Sequence, residues 1–131
     1  MQKFNFLHTV VIPAYNVCRG IIMKISVCLI VKNEESVIGR CLKSVILFAD
    51  EIIVVDTGSG DKTKEIASKF TDKIYDFKWN DDFSAARNYA FSKASCNYLF
   101  WIDADDVISE ENARKIIEIK NNEPCFDTYM F

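Results

Sequence analysis

Ile25-Ser26-Val27-Cys28-Leu29-Ile30-Val31 is a nearly continuous apolar run with the length of one β-strand. Residues 37–46 then place apolar side chains at helical spacing, and residues 52–55 form a second short apolar run. Strands that are buried on both faces are apolar throughout, whereas a helix that covers them carries one apolar stripe. The first half of the chain therefore predicts a strand, a helix and a second strand of a parallel sheet.

The same alternation continues through the rest of the chain. The further strands are predicted at residues 73–77, 97–102 and 126–131, and the further helices around 66–70, at 83–94 and after Ser109. This order predicts an α/β, Rossmann-like fold with a mostly parallel sheet and helices on both faces. The predicted helix caps are Asn33, the Asp81-Asp82 pair and Ser109. Ligands of such folds bind at the carboxyl ends of the strands.

Residues 1–22 do not fit this alternation. Residues 10–16 resemble residues 28–33, which would give the sheet two first strands. Either residues 10–16 add an edge strand, or residues 1–22 are a remnant or an upstream extension and Met23 opens the domain. We favour the second interpretation, which gives a domain over residues 23–131.

The composition indicates one globular domain. The chain has 131 residues, of which 50% are hydrophobic, and its formal net charge is −3. Disorder is excluded for most of the chain, and the absence of a basic cluster argues against nucleic-acid binding. The apolar runs are too short for a transmembrane segment, and Pro13 interrupts the apolar stretch that could suggest a signal peptide.

The five cysteines include no C-x-x-C pair, which argues against a zinc site and against a disulfide framework. They are expected to be free thiols in a reducing compartment, and we therefore expect a cytoplasmic protein. His8, the one histidine, is interpreted as a solvated surface residue.

Acidic residues follow the strand predicted at residues 97–102. Asp103 and Asp105 are two positions apart, so a turn can bring both carboxylates to one small volume, with Asp106 beside them. Hard oxygen ligands of this kind suit Mg²⁺ or Mn²⁺. The alternative is an acidic turn that caps the following helix.

Two further residues lie at the expected binding edge. Asp56 ends the second strand of the alternation and either bonds its own turn or accepts hydrogen bonds from a ligand. Arg87 borders the apolar face of the helix at 83–94, and Asp56 is a plausible partner for it. No glycine-rich dinucleotide or P-loop motif follows the first strand, which argues against NAD, FAD and that class of nucleoside triphosphatase.

Four segments in this order resemble family 2 glycosyltransferases of the GT-A fold. The first is Ile25–Glu35, which ends in V-K-N-E-E, and the second is residues 51–59, which end in D-T-G-S. The third is residues 83–88, with the sequence F-S-A-A-R-N, and the fourth is residues 101–106, with the sequence W-I-D-A-D-D. The resemblance covers residues 24 to about 110. It implies a nucleotide-sugar donor, usually a UDP-sugar, an acceptor that the sequence does not identify, and inversion at the anomeric carbon.

The resemblance also implies roles for individual residues. The implied donor-binding residues are Val31, Asn33, Glu34, Asp56, Arg87 and Asp103. Asp56 would bond the base and Arg87 would help to hold it, whereas Asp103 would lie near the ribose and sugar. Asp105, with Asp103, would hold the Mg²⁺ or Mn²⁺ ion that bridges the two phosphates.

In that family the catalytic base is a carboxylate of the acceptor half, which we expect beyond Phe131. The domain is thus interpreted as the donor-binding half, truncated after its fifth strand. We expect this chain to bind the donor and not to transfer sugar efficiently alone. We also expect self-association through apolar surface, particularly residues 126–131.

Three alternatives to a glycosyltransferase remain open from the residues. One is a non-catalytic nucleotide-sugar-binding or scaffold module that another chain completes. Another is a nucleotidyltransferase-like α/β enzyme, although such enzymes need a Gly- and Lys/Arg-rich loop where this chain offers Lys32. The last is a phosphoacceptor signalling domain, whose acids would follow the first and third strands instead of the second and fourth.

Overall fold

A computed structural model of the chain describes residues 10–13, 23–121 and 129–130. The strands are β1 (Val10–Pro13), β2 (Ile25–Val31), β3 (Glu51–Asp56), β4 (Ile74–Asp76), β5 (Tyr98–Trp101) and β6 (Tyr129–Met130). The helices are α1 (Ile38–Val45), α2 (Thr63–Ala67), α3 (Phe83–Lys93) and α4 (Glu110–Asn121). From β2 to α4, strands and helices alternate as the apolar pattern predicts.

The strands form one mostly parallel sheet with the order β4-β3-β2-β5-β1-β6. Strand β2 pairs in parallel with β3 and with β5, and β3 pairs in parallel with β4. Strand β1 is antiparallel to both β5 and β6. The predicted α/β architecture is therefore confirmed.

Strand β1 lies within the segment that we interpreted as an extension. Val11 is opposite Phe100 of β5 on one side and opposite Tyr129 of β6 on the other. Of the two sequence-based interpretations, the structure thus shows the added strand, but inside the sheet instead of at its edge. The domain boundary at Met23 stays a prediction. Residues 126–128 and 131 of the predicted last strand lie outside the described residues.

The two faces of the sheet carry different helices. On one face, alternate β2 residues such as Val27 and Leu29 pack with α1, α2 and α4 in a large apolar core. On the other face, Cys28 and Ile53 pack around Ala90 of α3. This alternation follows from the two-residue period of a strand, and it explains why residues 27–31 of β2 and residues 52–55 of β3 are apolar on both faces.

The predicted helix caps have mixed outcomes. Asp82 caps α3, because its Oδ1 accepts a hydrogen bond from the Ala85 N–H at 3.1 Å. Ser109 caps α4 by accepting from the Asn112 N–H at 3.2 Å. The prediction for Asn33 is wrong: α1 begins at Ile38, and residue Val37 precedes it without a side-chain cap.

The free-thiol prediction holds for the cysteines of the described residues. Cys28, Cys41 and Cys96 are free, whereas Cys18 and Cys125 lie outside the described residues. Burial is the main cause that raises the pKa of Cys28 and Cys41 to about 12, so both remain thiols at neutral pH.

The exposed surface carries few large apolar side chains in the part of the chain that is described. They are Ile46, Leu47, Trp79 and Phe83. The self-association expected through residues 126–131 stays a prediction, because those side chains lie outside the described residues. Within residues 10–13, 23–121 and 129–130, no helix combines the length and the hydropathy needed to cross a bilayer.

A buried carboxylate joins four segments of the chain at the amino end of the sheet. Glu51 of β3 is 7% exposed and accepts hydrogen bonds from Ser26 of β2, from Lys73 and from the backbone and side chain of Ser95. Burial by itself raises the pKa of the Glu51 carboxyl, but these hydrogen bonds outweigh it and lower the pKa to about 2. The charged form is therefore part of the folded structure.

Replacing Glu51 by glutamine should lower the free energy of unfolding at pH 7 by about 2 to 3 kcal/mol. A pKa lowered from 4.5 to about 2 corresponds to about 3 kcal/mol, and the partly exposed Lys73 reduces that figure. Urea titrations of the wild type and Glu51→Gln measure the difference. Glu118→Gln, a matched change on the exposed face of α4, should leave the free energy unchanged.

The same difference should depend on pH. The unfolded carboxyl ionises near 4.5 and the folded one near 2, so the contribution of Glu51 is complete above pH 4.5 and is lost as the pH falls toward 2. The gap between wild type and Glu51→Gln should therefore shrink over that range. A gap that stays constant there would contradict a role for the charge.

Candidate functional site

The parallel register brings the ends of three strands to one edge of the sheet. Val31, the last residue of β2, is opposite Asp56, the last residue of β3. On the other side of β2, Cys28 is opposite Trp101, and the Ile102 N–H continues that ladder by donating to the Cys28 carbonyl. Asp103 follows directly. Both predicted groups of acids therefore lie at the carboxyl edge, as expected for a parallel sheet.

Asp103, Asp105 and Asp106 form a tight acidic cluster. One carboxylate oxygen of each lies within 4.8 Å of the others. A backbone hydrogen bond of 3.0 Å from the Asp106 N–H to the Asp103 carbonyl closes the turn that gathers them. Three hard oxygen donors at this spacing fit a divalent cation such as Mg²⁺ or Mn²⁺.

A residue of helix α1 is hydrogen-bonded to this turn. The buried Cys41 thiol donates to the Asp103 carbonyl, with 3.5 Å between sulfur and oxygen. The cluster adds to the shift of the Cys41 pKa, which burial raises first and the charges of Asp106, Asp105 and Asp103 raise further. The thiol is thus neutral and donates a hydrogen bond to the backbone of the acidic cluster.

Glu34 lies close enough to the cluster to respond to its charge. The pKa of this half-buried carboxyl is raised, first by burial and then by the charges of Asp105, Asp61 and Asp103. Like charges that are held together raise one another's pKa values. The charges of the cluster therefore reach Glu34 and oppose its ionisation.

The two carboxylate oxygens of Asp56 differ in their hydrogen bonding. The residue is 2% exposed, and its Oδ1 accepts from the Gly58 N–H at 2.9 Å and from the Ser59 N–H at 2.8 Å. Gly58 adopts a φ of 120°, which favours glycine in this turn. The other carboxylate oxygen, Oδ2, is buried and has no hydrogen-bond partner. An unpaired buried acceptor is costly, so a ligand donor would be stabilising there.

A cavity of about 550 Å³ lies beside Asp56. Its lining comes from the ends of β2, β3 and β4 and from the segment after β4, namely Lys32, Asp56, Thr57, Gly58, Asp76, Phe77, Lys78 and Trp79. Trp79 is 40% exposed, and its indole N–H donates to Asp81 at 3.1 Å. The cavity thus offers aromatic surface and a buried acceptor together.

The two loops at the ends of β2 and β3 are tied to each other. Asn33 has a φ of 52°, its N–H donates to Ser59 Oγ at 2.9 Å, and its Oδ1 accepts from the Gly60 N–H at 2.8 Å. The Glu34 N–H donates to Thr63 Oγ1 at 2.8 Å. Asn33 therefore fixes the loop after β3 instead of capping α1.

Val31 is a residue of the hydrophobic core. Its side chain lies in the large core, and its carbonyl accepts from the backbone N–H and the hydroxyl of Thr57 at 3.0 and 3.2 Å. Its contact with a donor stays a prediction, as do the donor contacts predicted for Asn33 and Glu34.

The structure does not pair Arg87 with Asp56, so the suggested partner is wrong. The Arg87 guanidinium instead lies over two aromatic rings, with its Cζ 5.2 Å from the centroid of Phe83 and 5.2 Å from that of Trp101. Phe83 precedes Arg87 by one helical turn, whereas Trp101 comes from β5. Cation–π contacts of this kind orient the guanidinium.

Sequence reasoning missed the cavity lining that follows β4. Phe77 is predicted only as the last residue of a strand, and Lys78 and Trp79 belong to a segment without apolar periodicity, in which only the tryptophan beside Asp81 could have marked the site. It also missed Thr63, whose hydroxyl is buried between the two loops.

The family model described as glycosyl transferase family 2 matches residues 26–127, which is more than half of the chain. This chain belongs to glycosyl transferase family 2. The predicted resemblance is thereby confirmed, and the matched residues include all of β2 except Ile25, together with β3, β5 and the whole acidic cluster.

Curated relatives agree with this membership. The chain is 42% identical over 93 residues to the SPbeta prophage-derived glycosyltransferase SunS of Bacillus subtilis, covering 70% of this chain and 22% of SunS. It is 45% identical over 83 residues to a TPR repeat-containing protein of Synechococcus elongatus, covering 63% of this chain and 21% of that protein. The chain thus spans about a fifth of the length of these relatives.

Solved structures of GT-A glycosyltransferases share the fold. TarS of S. aureus in complex with UDP aligns with a TM-score of 0.64 and 27% identity, over 76% of this chain and 32% of TarS. Glucosyl-3-phosphoglycerate synthase of Mycobacterium tuberculosis, in complex with Mn²⁺ and UDP-glucose, aligns with a TM-score of 0.57 and 25% identity, over 65% of this chain and 34% of the synthase.

Replacing Asp105 by asparagine should weaken Mn²⁺ binding by at least about tenfold, because one of the three clustered carboxylates loses its charge. The rise in melting temperature on addition of Mn²⁺ measures the effect. Asp72→Asn, the same change at the amino end of β4, is the matched control and should respond to Mn²⁺ as the wild type does. Equal responses of both variants would argue against a metal site at the cluster.

Proposed function

We propose that this chain binds the nucleotide of a nucleotide-sugar donor, UDP in particular, together with Mg²⁺ or Mn²⁺. In this proposal it serves as the donor-binding part of an inverting glycosyltransferase. Family membership, the complex of TarS with UDP and the complex of the mycobacterial synthase with Mn²⁺ and UDP-glucose support the proposal. The observation that carries it for this chain is the unpartnered Oδ2 of Asp56 in the cavity at the carboxyl edge.

The chemistry of uracil matches that oxygen. The N3–H of uracil is a ring donor, and the buried Oδ2 of Asp56 is an acceptor that the protein leaves unpaired. Phe77 and Trp79 offer aromatic surface in the same cavity against which a base can stack. Cytosine has an acceptor at the same ring position, so a carboxylate there disfavours it.

The acidic cluster suits the other end of the nucleotide. Diphosphates are bound in proteins through a cation held by one or two carboxylates, and Asp103 and Asp105 are the proposed ligands with Asp106 beside them. A bound cation supplies electrostatic stabilisation of the departing diphosphate. The cross-tied loops of Asn33 and Glu34 would then hold the cavity and the cluster at a fixed separation.

The proposal is tested by calorimetric titration of the chain with UDP and with CDP, each with and without Mn²⁺. We expect UDP to bind more tightly than CDP, and Mn²⁺ to strengthen the binding of UDP. Absence of binding by any nucleoside diphosphate would overturn the proposal for this chain.

Asp56→Asn should reduce the preference for UDP over CDP. The turn keeps an amide oxygen in place of Oδ1, so the amide NH₂ takes the position of Oδ2 and presents a donor where an acceptor stood. Affinity for UDP should fall by about tenfold or more, whereas affinity for CDP should fall less or rise. Asp72→Asn is the matched control and should bind both as the wild type does. An equal loss for both nucleotides would indicate damage to the turn instead of base recognition.

A further inference from the structure

Two residues of α1 are hydrogen-bonded to opposite ends of the segment that carries the acidic cluster. The Cys41 thiol donates to the Asp103 carbonyl, with 3.5 Å between sulfur and oxygen, and Ser44 Oγ accepts from the Ile108 N–H at 3.0 Å. The Asp103 carbonyl also accepts from the Asp106 N–H, which closes the turn. The clustered carboxylates therefore all belong to the segment that these two contacts with α1 delimit.

A local hydrogen bond fixes the direction of the Ser44 hydroxyl. Ser44 Oγ donates to the carbonyl of Cys41, three residues earlier, at 2.6 Å. Since a hydroxyl has a single hydrogen, its lone pairs remain available as acceptors, and one of them receives the Ile108 N–H. Residues three apart are neighbours on a helix surface. Both contacts with the segment therefore come from one side of one helix.

The segment has a buried side and an exposed side. Ala104 and Ile108 are 4% and 7% exposed and belong to the large apolar core, whereas Asp103 and Asp105 are exposed. Like charges repel one another when no cation is bound, and that repulsion favours an opening of the turn. Cys41 is fully buried, so its hydrogen bond stabilises the closed turn from the core side.

We propose that Cys41 and Ser44 are positioning residues that keep the segment from Asp103 to Ile108 in a geometry suited to a divalent cation. Both residues act through the backbone that carries the carboxylates. Hydrogen-bond partners that orient metal ligands commonly change the affinity for the metal by roughly 10- to 100-fold. This inference rests on the cation site of the proposed function, and it adds two residues that the sequence does not mark as part of that site.

The experiment measures Mn²⁺ binding by the full chain, from the loss of the electron paramagnetic resonance signal of free Mn²⁺. Each variant is titrated well below its melting temperature, so that only folded proteins are compared. Ser44→Ala removes the acceptor of the Ile108 N–H and should weaken Mn²⁺ binding by about tenfold. Ser44→Thr keeps the hydroxyl and should bind Mn²⁺ within about twofold of the wild type.

A second serine provides the matched control. Ser92 of α3 also donates to the carbonyl three residues earlier, that of Tyr89, at 2.6 Å. Ser92 is exposed, and α3 lies on the other face of the sheet. Ser92→Ala should therefore bind Mn²⁺ as the wild type does. An equal loss in Ser44→Ala and Ser92→Ala would attribute the effect to the helical hydrogen bond and overturn the inference.

Cys41 is tested by one variant that removes its donor and by one that keeps a donor. Cys41→Ala should weaken Mn²⁺ binding by about threefold, which is less than the effect of Ser44→Ala because a thiol is a weak donor. Cys41→Ser retains a donor and should bind Mn²⁺ more tightly than Cys41→Ala. Equal binding by these two variants would overturn the positioning role of Cys41.

The outcomes separate this inference from the proposed function. If the wild type binds no Mn²⁺, the proposed cation site fails, and the inference fails with it. If the wild type and Ser44→Ala bind Mn²⁺ equally well, the cation site stands and the inference is overturned.

Amide hydrogen exchange at Ile108 supplies an independent measurement. Loss of the Ser44 acceptor should make exchange of the Ile108 N–H about tenfold faster in the absence of Mn²⁺. Faster exchange together with weaker Mn²⁺ binding would support the inference. Faster exchange with an unchanged affinity for Mn²⁺ would show that the hydrogen bond stabilises the fold alone, and would overturn it.

Discussion

The parallel ladder between β2 and β3 runs in register from Ser26 opposite Glu51 to Val31 opposite Asp56. The Thr57 N–H then donates to the Val31 carbonyl, so both strands end at the same level and their loops begin side by side. A shift of one residue would turn every side chain of a strand to the opposite face. The position of Asp56, and the hydrogen bonds that join the two loops, therefore depend on this pairing.

Carboxylates at the two ends of that ladder differ in their hydrogen bonding and in the direction of their pKa shifts. At the amino end, Glu51 is surrounded by donors, and its pKa falls to about 2 because those hydrogen bonds stabilise the charge. At the carboxyl end, Glu34 has a raised pKa, and Asp56 keeps one buried oxygen without a donor. Acids that the fold satisfies stabilise the structure, whereas acids that it leaves unsatisfied are typical of a binding site.

The segment that opens α3 combines several physical roles within a few residues. Asp82 caps the helix, Ala86 is fully buried beneath it, and Phe83 and Arg87 share the face that meets Trp101. One helical turn thus fixes the start of the helix, its packing and the orientation of a cation. This explains physically why these residue types occur together at this spacing, beyond their use as a family motif.

The sequence by itself determined the alternation of strands and helices, the caps at Asp82 and Ser109, and the gathering of Asp103, Asp105 and Asp106. These features arise from local periodicity, local hydrogen bonding and the spacing of two residues within one turn. Only the tertiary structure decided the role of Asn33, the aromatic partners of Arg87, the donors around Glu51 and the place of β1 inside the sheet. Each of these depends on contacts between distant parts of the chain, such as Asn33 with Gly60 and Val11 with Phe100, which local periodicity does not encode.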